Sequence, residues 1–366
     1  MPGVSLDTNK YTYDELAKKY HNFASPAFSI KVDGKDIGKE GAAVASLTLE
    51  TTVTREADVV VFTIANAYDM EKSEFRWLDA PLALGKELEV SLGYRDSLRP
   101  VFYGYITAIN ISYTRGGNPE IQVTGMDPSF KLMRAKTVRS YANKSIGDIV
   151  KEVARVHGLS PNVSDATRML PVFISRPQND YQLLHDLAEM INFEFFVVGS
   201  NLYFRKKVRD KTPLTTLYFG RHLRHLSIEQ NLSEQVAGVK VIGWDPQNQK
   251  TIVASGEKVE RIGDNSRTGV DLMKKWGKTY EEILHVNVSS QQEAQELANA
   301  AVNERALRLV TGETVSIGIP EIRAGRCIRL EGLGKKLNQT YYIVRATHAI
   351  DETGYVTSFT FQGNAV

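Results

Sequence analysis

The chain has 366 residues, 42% of them hydrophobic, enough to fill the cores of about two to four domains. Lys and Arg number 45 against 43 Asp and Glu, and the resulting charge of +2 is too small to gather nucleic acid or an anionic membrane. Cys327 has no partner in the chain, no apolar run reaches the roughly 20 residues that span a bilayer, and the start carries no signal-peptide pattern, so synthesis in a reducing cytoplasm is expected.

Residues 1–24 read as an amino-terminal arm. Thr12-Tyr-Asp-Glu15 is a capping box, and Tyr13, Leu16, Tyr20 and Phe23 form an apolar stripe on a helix too short to stand alone, so these four are candidate contacts to a neighbouring subunit or partner, with docking on the chain's own barrel the alternative. Residues 25–135 then read as a first β unit, with period-two alternation at 29–32, 46–53, 59–65, 88–92, 101–113 and 120–124. Asp33-Gly34, Gly93 and Gly116-Gly117 mark its turns. Residues 136–212 change texture to a small α/β module. Ser145 caps one helix that ends before Gly158, a second helix covers about 179–191, and a hairpin turns at Gly199-Ser200. The basic run 205–211 reads as a solvated connector, because no aromatics interleave to stack bases. Residues 213–366 form a second β unit, with a loop excursion at about 256–280 and a helix at about 290–309 opened by Ser290-Gln-Gln-Glu293.

The two β units echo each other. Pro81-Leu-Ala-Leu-Gly85-Lys86 is matched by Pro320-Glu-Ile-Arg-Ala-Gly325-Arg326. Tyr105-Ile-Thr-Ala-Ile109 is matched by Tyr342-Ile-Val-Arg-Ala346, and Ile121-Gln-Val-Thr-Gly125 by Phe359-Thr-Phe-Gln-Gly363. The conserved order and near-equal spacing mark Gly85, Gly125, Gly325 and Gly363 as turn glycines of two similar barrels.

Catalytic chemistry is scarce. His222 and His225 have a metal-like spacing, but three residues apart on a strand they leave opposite faces. His185, Asp186 and Glu189 share a helix edge, where interface or packing roles outweigh acid–base work. Glu194 alternates with Phe193 and Phe195 and is expected in water. Cys327 sits in an alternating run and reads as a buried strand thiol. No phosphate-binding glycine loop or nucleophile elbow is present, so no catalytic residue, metal site or cofactor is assigned.

Several segments in fixed order carry a family resemblance: Ser145-Ile-Gly-Asp-Ile-Val-Lys-Glu-Val-Ala154, Gln178-Asn-Asp-Tyr-Gln-Leu-Leu-His-Asp-Leu-Ala-Glu189, Val241-Ile-Gly-Trp-Asp-Pro246, the Gly318-Ile-Pro320 approach to Gly325, and the ending Tyr341-Tyr-Ile-Val with His348 and Gly354-Tyr-Val-Thr357. From about residue 25 to the end the chain resembles the phage late control protein D family, hub proteins of contractile-tail baseplates similar to the hub half of type VI secretion spike proteins. The resemblance implies a mainly β fold with an α+β insert. Two tail-tube-like barrels and one α/β module would make up each subunit of a homotrimer, whose ring is pseudo-sixfold.

The expected role is a non-enzymatic hub of a phage tail, tailocin or injection particle, adapting a sixfold tube to a threefold spike. Implied partners are the tail tube protein, a separate spike protein and baseplate wedge or connector proteins, with the tape measure protein a further candidate. Neither specific nucleic-acid binding nor stable membrane insertion is expected. Because the chain ends after the closing strand, the spike needle is expected on another polypeptide. The reading from another class is a cell-wall or glycan-binding tail enzyme, which an acidic cleft would favour.

Overall fold

The computed structural model describes residues 3–366 except 79–80, 116, 246–247, 278–280, 287 and 289. Gly116 of the second glycine pair and Pro246 of the tryptophan motif therefore lie outside the described residues. The protein is mainly β, and its largest element is one thirteen-stranded sheet to which both β units contribute.

Alternation explains the first unit strand by strand. Val59–Ile64 buries every second residue, and Glu87–Tyr94 buries Leu88, Val90 and Leu92, so one face of each strand is dry. The unit runs Val44–Thr52, Val59–Ile64, Glu120–Met126, Ser97–Ser112, Glu87–Tyr94, Pro26–Val32, each bonded to the next, all antiparallel. Asp33 and Gly34, both at positive φ, make the two-residue turn between Pro26–Val32 and Lys35–Asp36. Gly93, expected in a turn, lies inside Glu87–Tyr94 opposite Leu98; Arg95 and Asp96 make that turn instead.

The second unit repeats this order with Leu223–Gln230, Val310–Ile317, Gly354–Gly363, Gln339–Asp351, Cys327–Glu331 and Pro213–Tyr218. One orientation differs: Pro213–Tyr218 runs parallel to Cys327–Glu331, whereas Pro26–Val32 is antiparallel to Glu87–Tyr94. The units meet at a seam where Val44–Thr52 pairs with Gln339–Asp351. Among the described residues neither unit closes on itself by backbone pairing. The edge of Val44–Thr52 that a separate barrel would turn inward bonds to the other unit. A shared apolar core therefore runs from Leu16 and Phe62 through Val123 to Tyr341 and Phe361.

The turn glycines divide two and two. Gly85 and Gly325 both have φ +84, and each donates its N–H to the equivalent carbonyl, Ile106 at 2.8 Å and Ile343 at 2.9 Å. Gly125 and Gly363 lie in strands, not turns, and are not equivalent. Gly125 pairs with Val60, while the matching pair in the second unit is Gly312 with Phe361. A Cβ on Gly125 would meet Leu88 at 2.4 Å, and one on Gly312 would meet the Phe361 ring at 2.4 Å. The small residue has moved to the other strand of the pair, because one of two facing positions must be small when its neighbour is large.

The α/β module has its own core, built by helices Ile146–Val156 and Asp180–Glu189 against Phe193–Val198 and Asn201–Lys206. Ser145 and Asn179 cap the helices through the Asp148 and Gln182 N–H groups, and Gly158 at φ +71 follows the first. A second small α/β layer sits inside the second unit. Strands Gly238–Asp245, Lys250–Gly256 and Glu281–His285 form a separate sheet covered by helix Gln291–Ala306, where barrel strands were expected. The stretch expected as a loop excursion holds a helix, Gly269–Lys274, with a Thr268–Asp271 capping box.

The arm packs on its own chain, the alternative to the partner contact expected of its stripe. Leu16 and Tyr20 are fully buried in the shared core, and Tyr13 and Phe23 pack against it. Both halves of the Thr12–Glu15 capping box form. Leu16→Ala is expected to lower stability by about 2–5 kcal/mol through the cavity it leaves. Urea denaturation measures this, and a change below about 1 kcal/mol would show the arm to be loosely held.

Candidate functional site

The histidine and carboxylate candidates do not assemble. His222 accepts the Tyr218 N–H at its Nδ1 (3.1 Å) and stacks on Tyr13 with ring centres 3.7 Å apart, while His225 is exposed on the next turn of strand. Burial holds the His222 pKa below its ordinary value, with Arg221 adding to the effect. Among the described residues no three His, Cys, Asp or Glu side chains converge as a metal site. His185 is packed between Tyr181 and Phe195, and burial pushes its pKa down to about 3. Its helix neighbours Asp186 and Glu189 bind Arg55 from the first β unit. Cys327 is buried, and desolvation raises its thiol to about 12, so it is not a nucleophile at neutral pH.

Glu194 is buried, not solvated as its alternation suggested. The strand Phe193–Val198 is buried at every residue because one face covers the module core, while on the other Phe196 and Val198 pack on Val4 of the arm and Tyr103 of the first β unit and Glu194 meets Tyr342 of the second. Glu194 accepts from Arg205 Nε at 2.8 Å and from the Tyr342 hydroxyl; Arg205 also donates to the Gly325 carbonyl at 2.5 Å. Burial raises the Glu194 carboxyl pKa, with Arg205 pulling against it. This joint ties the module to the turn at Gly325, where a Cβ would crowd Arg205, Phe196 and Val53 at 3.2–3.3 Å; at Gly85, the equivalent turn, nothing lies within 4 Å. The 205–211 run is thus only partly solvated: Arg205 and Val208 are buried, Lys206 pairs with Glu260, and Lys211 donates to the Arg261 carbonyl.

Two further polar clusters had no motif to announce them. In the first, Glu321 accepts from Lys19 Nζ and the Tyr20 hydroxyl, both at 2.7 Å, with Arg99 at 3.5 Å; Arg99 also meets Asp7 at 3.0 Å. Arg326, fully buried, donates to the Asn9 carbonyl at 2.9 Å. These contacts clasp the arm across both β units. In the second, at the base of the seam, Asp58 accepts the Thr52 N–H (2.8 Å) and Arg323 (3.0 Å), while Asp127 accepts the Asp58 N–H (2.7 Å) and the Ser129 N–H (2.6 Å). Burial raises both carboxyls, Asp58 to about 7. Nearby, His348 places Nε2 2.8 Å from the Ile322 carbonyl and accepts from Tyr355 and Thr357 at Nδ1; burial pushes its pKa down to about 4 and keeps it neutral.

Asp58 and Asp127 are therefore walled into the seam, and Glu194 sits in the module joint. A cleft of about 400 Å³ lies elsewhere, between Arg168 and Asn192 of the module and Glu260, Glu296 and Asn303 of the inserted layer. Asp58 and Asp127 line neither that cleft nor a second one of about 280 Å³, which Glu194 lines with His185, Lys207 and Tyr342 at the module joint. Among the described residues no helix is long and apolar enough to cross a membrane.

No curated protein matches the chain. Its fold is shared with the 43 kDa tail protein of prophage MuSo2 from Shewanella oneidensis, at TM-score 0.71 and 14% identity, over 92% of this chain and 98% of that one. The tail protein from Neisseria meningitidis MC58 superposes at TM-score 0.67 and 14% identity, over 93% and 96%. The E. coli c3393 protein, a type VI secretion component with structural similarity to the T4 bacteriophage tail proteins gp27 and gp5, superposes at 0.58 and 11%, over 92% and 77%. The architecture is thus shared with phage tail proteins and a type VI secretion component. Residues 23–352, spanning both β units and the module between them, match the family model described as the Alg8 N-terminal domain, and the chain belongs to that family.

Proposed function

We propose that the chain is a structural, non-enzymatic hub of a contractile phage tail, tailocin or related injection particle, working as a symmetry adaptor. Three copies with two like β units each supply six units to a ring that meets a sixfold tail tube on one side and a threefold spike on the other. The observation that carries this reading is the internal duplication: the same strand order appears twice and is welded through one backbone seam. The homotrimer, the tail tube protein, a separate spike protein and wedge or connector proteins are its partners, and the assembled particle is its location. The glycan-enzyme reading has less support, because the perturbed carboxylates Asp58 and Asp127 are sealed behind Arg323.

Light scattering on the purified full chain, alone and co-expressed with its tail tube protein, tests this. A mass three times that of the chain is expected in at least the second condition. A monomer in both would overturn the proposal.

A further inference from the structure

The seam that joins the two units inside one chain uses two strand positions, and the counterparts of both are left open at distant places in the sheet. In the seam, residues 47–52 pair antiparallel with 345–350, from Leu47 opposite Ile350 to Thr52 opposite Arg345. The counterpart of Gln339–Asp351 is Ser97–Ser112. Each follows its turn-bearing strand and, against the following strand, shifts register once, between Ile106 and Ala108 or between Ile343 and Arg345. Ala108 therefore matches Arg345, and Ile111 matches His348. The counterpart of Val44–Thr52 is Leu223–Gln230. Both shift register near their start, between Val44 and Ser46 or between Leu223 and His225, so Thr48 matches Ser227 and Glu50 matches Glu229.

In the seam these positions are closed: Leu49 and His348 are both buried. At the counterparts they are open. Among the described residues, 107–112 has a strand partner only in Glu120–Met126, and Leu223–Gln230 only in Val310–Ile317. Six strands separate the two open edges within one chain, so they cannot satisfy each other there. A row of unpaired N–H and C=O groups is a template for another strand.

Carrying the register of the seam onto these edges sets Asn110 against Glu229, Ile111 against Ile228, Ser112 against Ser227 and Tyr113 against Leu226. Apolar faces apolar and polar faces polar at four consecutive positions, with the mixed pair Ile109–Gln230 next to them. A slip by one residue would set Ile111 against Ser227 and Ser112 against Leu226. Tyr113, 69% exposed in the single chain, gains an apolar neighbour in this register.

The geometry points to a second copy of this chain as the occupant: 107–112 of one copy pairs antiparallel with Leu223–Gln230 of the next, in the register of the internal seam. Ring closure then repeats one strand contact, alternately within and between chains. The count of three copies rests on the hub reading above; the strand pairing does not.

Cysteine cross-linking of the full chain tests the pairing. The Val53 N–H donates to the Val344 carbonyl at 3.2 Å, so by alternation Thr48 and Ala349 form a narrow, non-hydrogen-bonded pair. Ser227 and Ser112 inherit that position, with Cα atoms about 4.5 Å apart, within disulfide range. Ser112→Cys/Ser227→Cys and the second narrow pair, Asn110→Cys/Glu229→Cys, are therefore expected to form covalent trimers under mild oxidation, reversed by a thiol reductant. All four positions are exposed, and Glu229→Cys removes only a surface bond from Asn231, so folding should survive, as a circular dichroism melt would verify. Ser112→Cys/Glu229→Cys lies on the same face but two residues out of register, and should cross-link roughly tenfold less. Native trimers without cross-links, or equal yield from the shifted pair, would overturn this strand pairing and leave the hub reading intact. Covalent chains of other lengths would uphold the pairing and remove the count of three. A monomer with no cross-link, even beside the tube protein, would remove both.

Discussion

Arg205→Met is expected to cost about 3–5 kcal/mol, because it removes one partner of a buried ion pair and strands the other. The side chains of Arg205 and Glu194 are 8% and 2% exposed, and water cannot replace the lost guanidinium. The Tyr342 hydroxyl would still bind Glu194, but the Gly325 carbonyl would lose its donor. Desolvation works against the Arg205 charge, and Glu194 and Tyr342 together outweigh it, so the guanidinium depends on its partners. Arg205→Met/Glu194→Gln should recover part of the loss, since an unpaired neutral amide is cheaper to bury than a carboxylate. Equilibrium denaturation of the wild type, both single variants and the double variant forms the cycle. A loss below about 1 kcal/mol for Arg205→Met, or strict additivity, would show that the joint does not hold the module in place.

Arg323→Met should be of similar size, about 3–5 kcal/mol near pH 8, and should depend on pH. Arg323 faces Asp58 at 3.0 Å, and its removal leaves Asp58 and Asp127 as buried acids without that countercharge. In the wild type the Asp58 carboxyl titrates at about 7 in the folded state, against roughly 3.9 in an unfolded chain. Between these values the folded protein keeps a proton that the unfolded chain releases. The contribution is fully present below about pH 4 and is lost as pH rises through about 7. Arg323→Met should carry that fall to higher pH, and Asp58→Asn should flatten it. Urea titrations at several pH values from acid to mildly alkaline measure the slope. A wild-type profile no steeper than that of Asp58→Asn would disprove the assignment.

The local features were legible because their causes are local. Thr12, Ser145 and Ser290 accept the N–H three residues on, as their capping patterns imply, and helices begin at Tyr13, Ile146 and Gln291. Gly85 and Gly325 share φ +84 because the same turn needs the same backbone, which only glycine adopts without strain. Alternation likewise revealed one dry face on each strand of the first unit.

What residues meet across the sheet was decided elsewhere. Gly125 is small because Val60 and Leu88 are large, and Phe361 is large because Gly312 is small, so matching glycines by sequence paired Gly125 with the wrong residue. Glu194 looked solvated because alternation assumes one wet face; the arm and both β units cover that face through Val4, Tyr103 and Tyr342. The arm looked ready for a partner because its stripe needs a surface, and its own chain supplies one through Glu321 and the shared core. The sheet seam is the clearest case. Periodicity records which side of Val44–Thr52 is dry, but its edge bonds to Gln339–Asp351 through N–H and C=O groups that every residue but proline carries. Side chains therefore determined the strands and their buried faces, and only the tertiary structure decided which edges join.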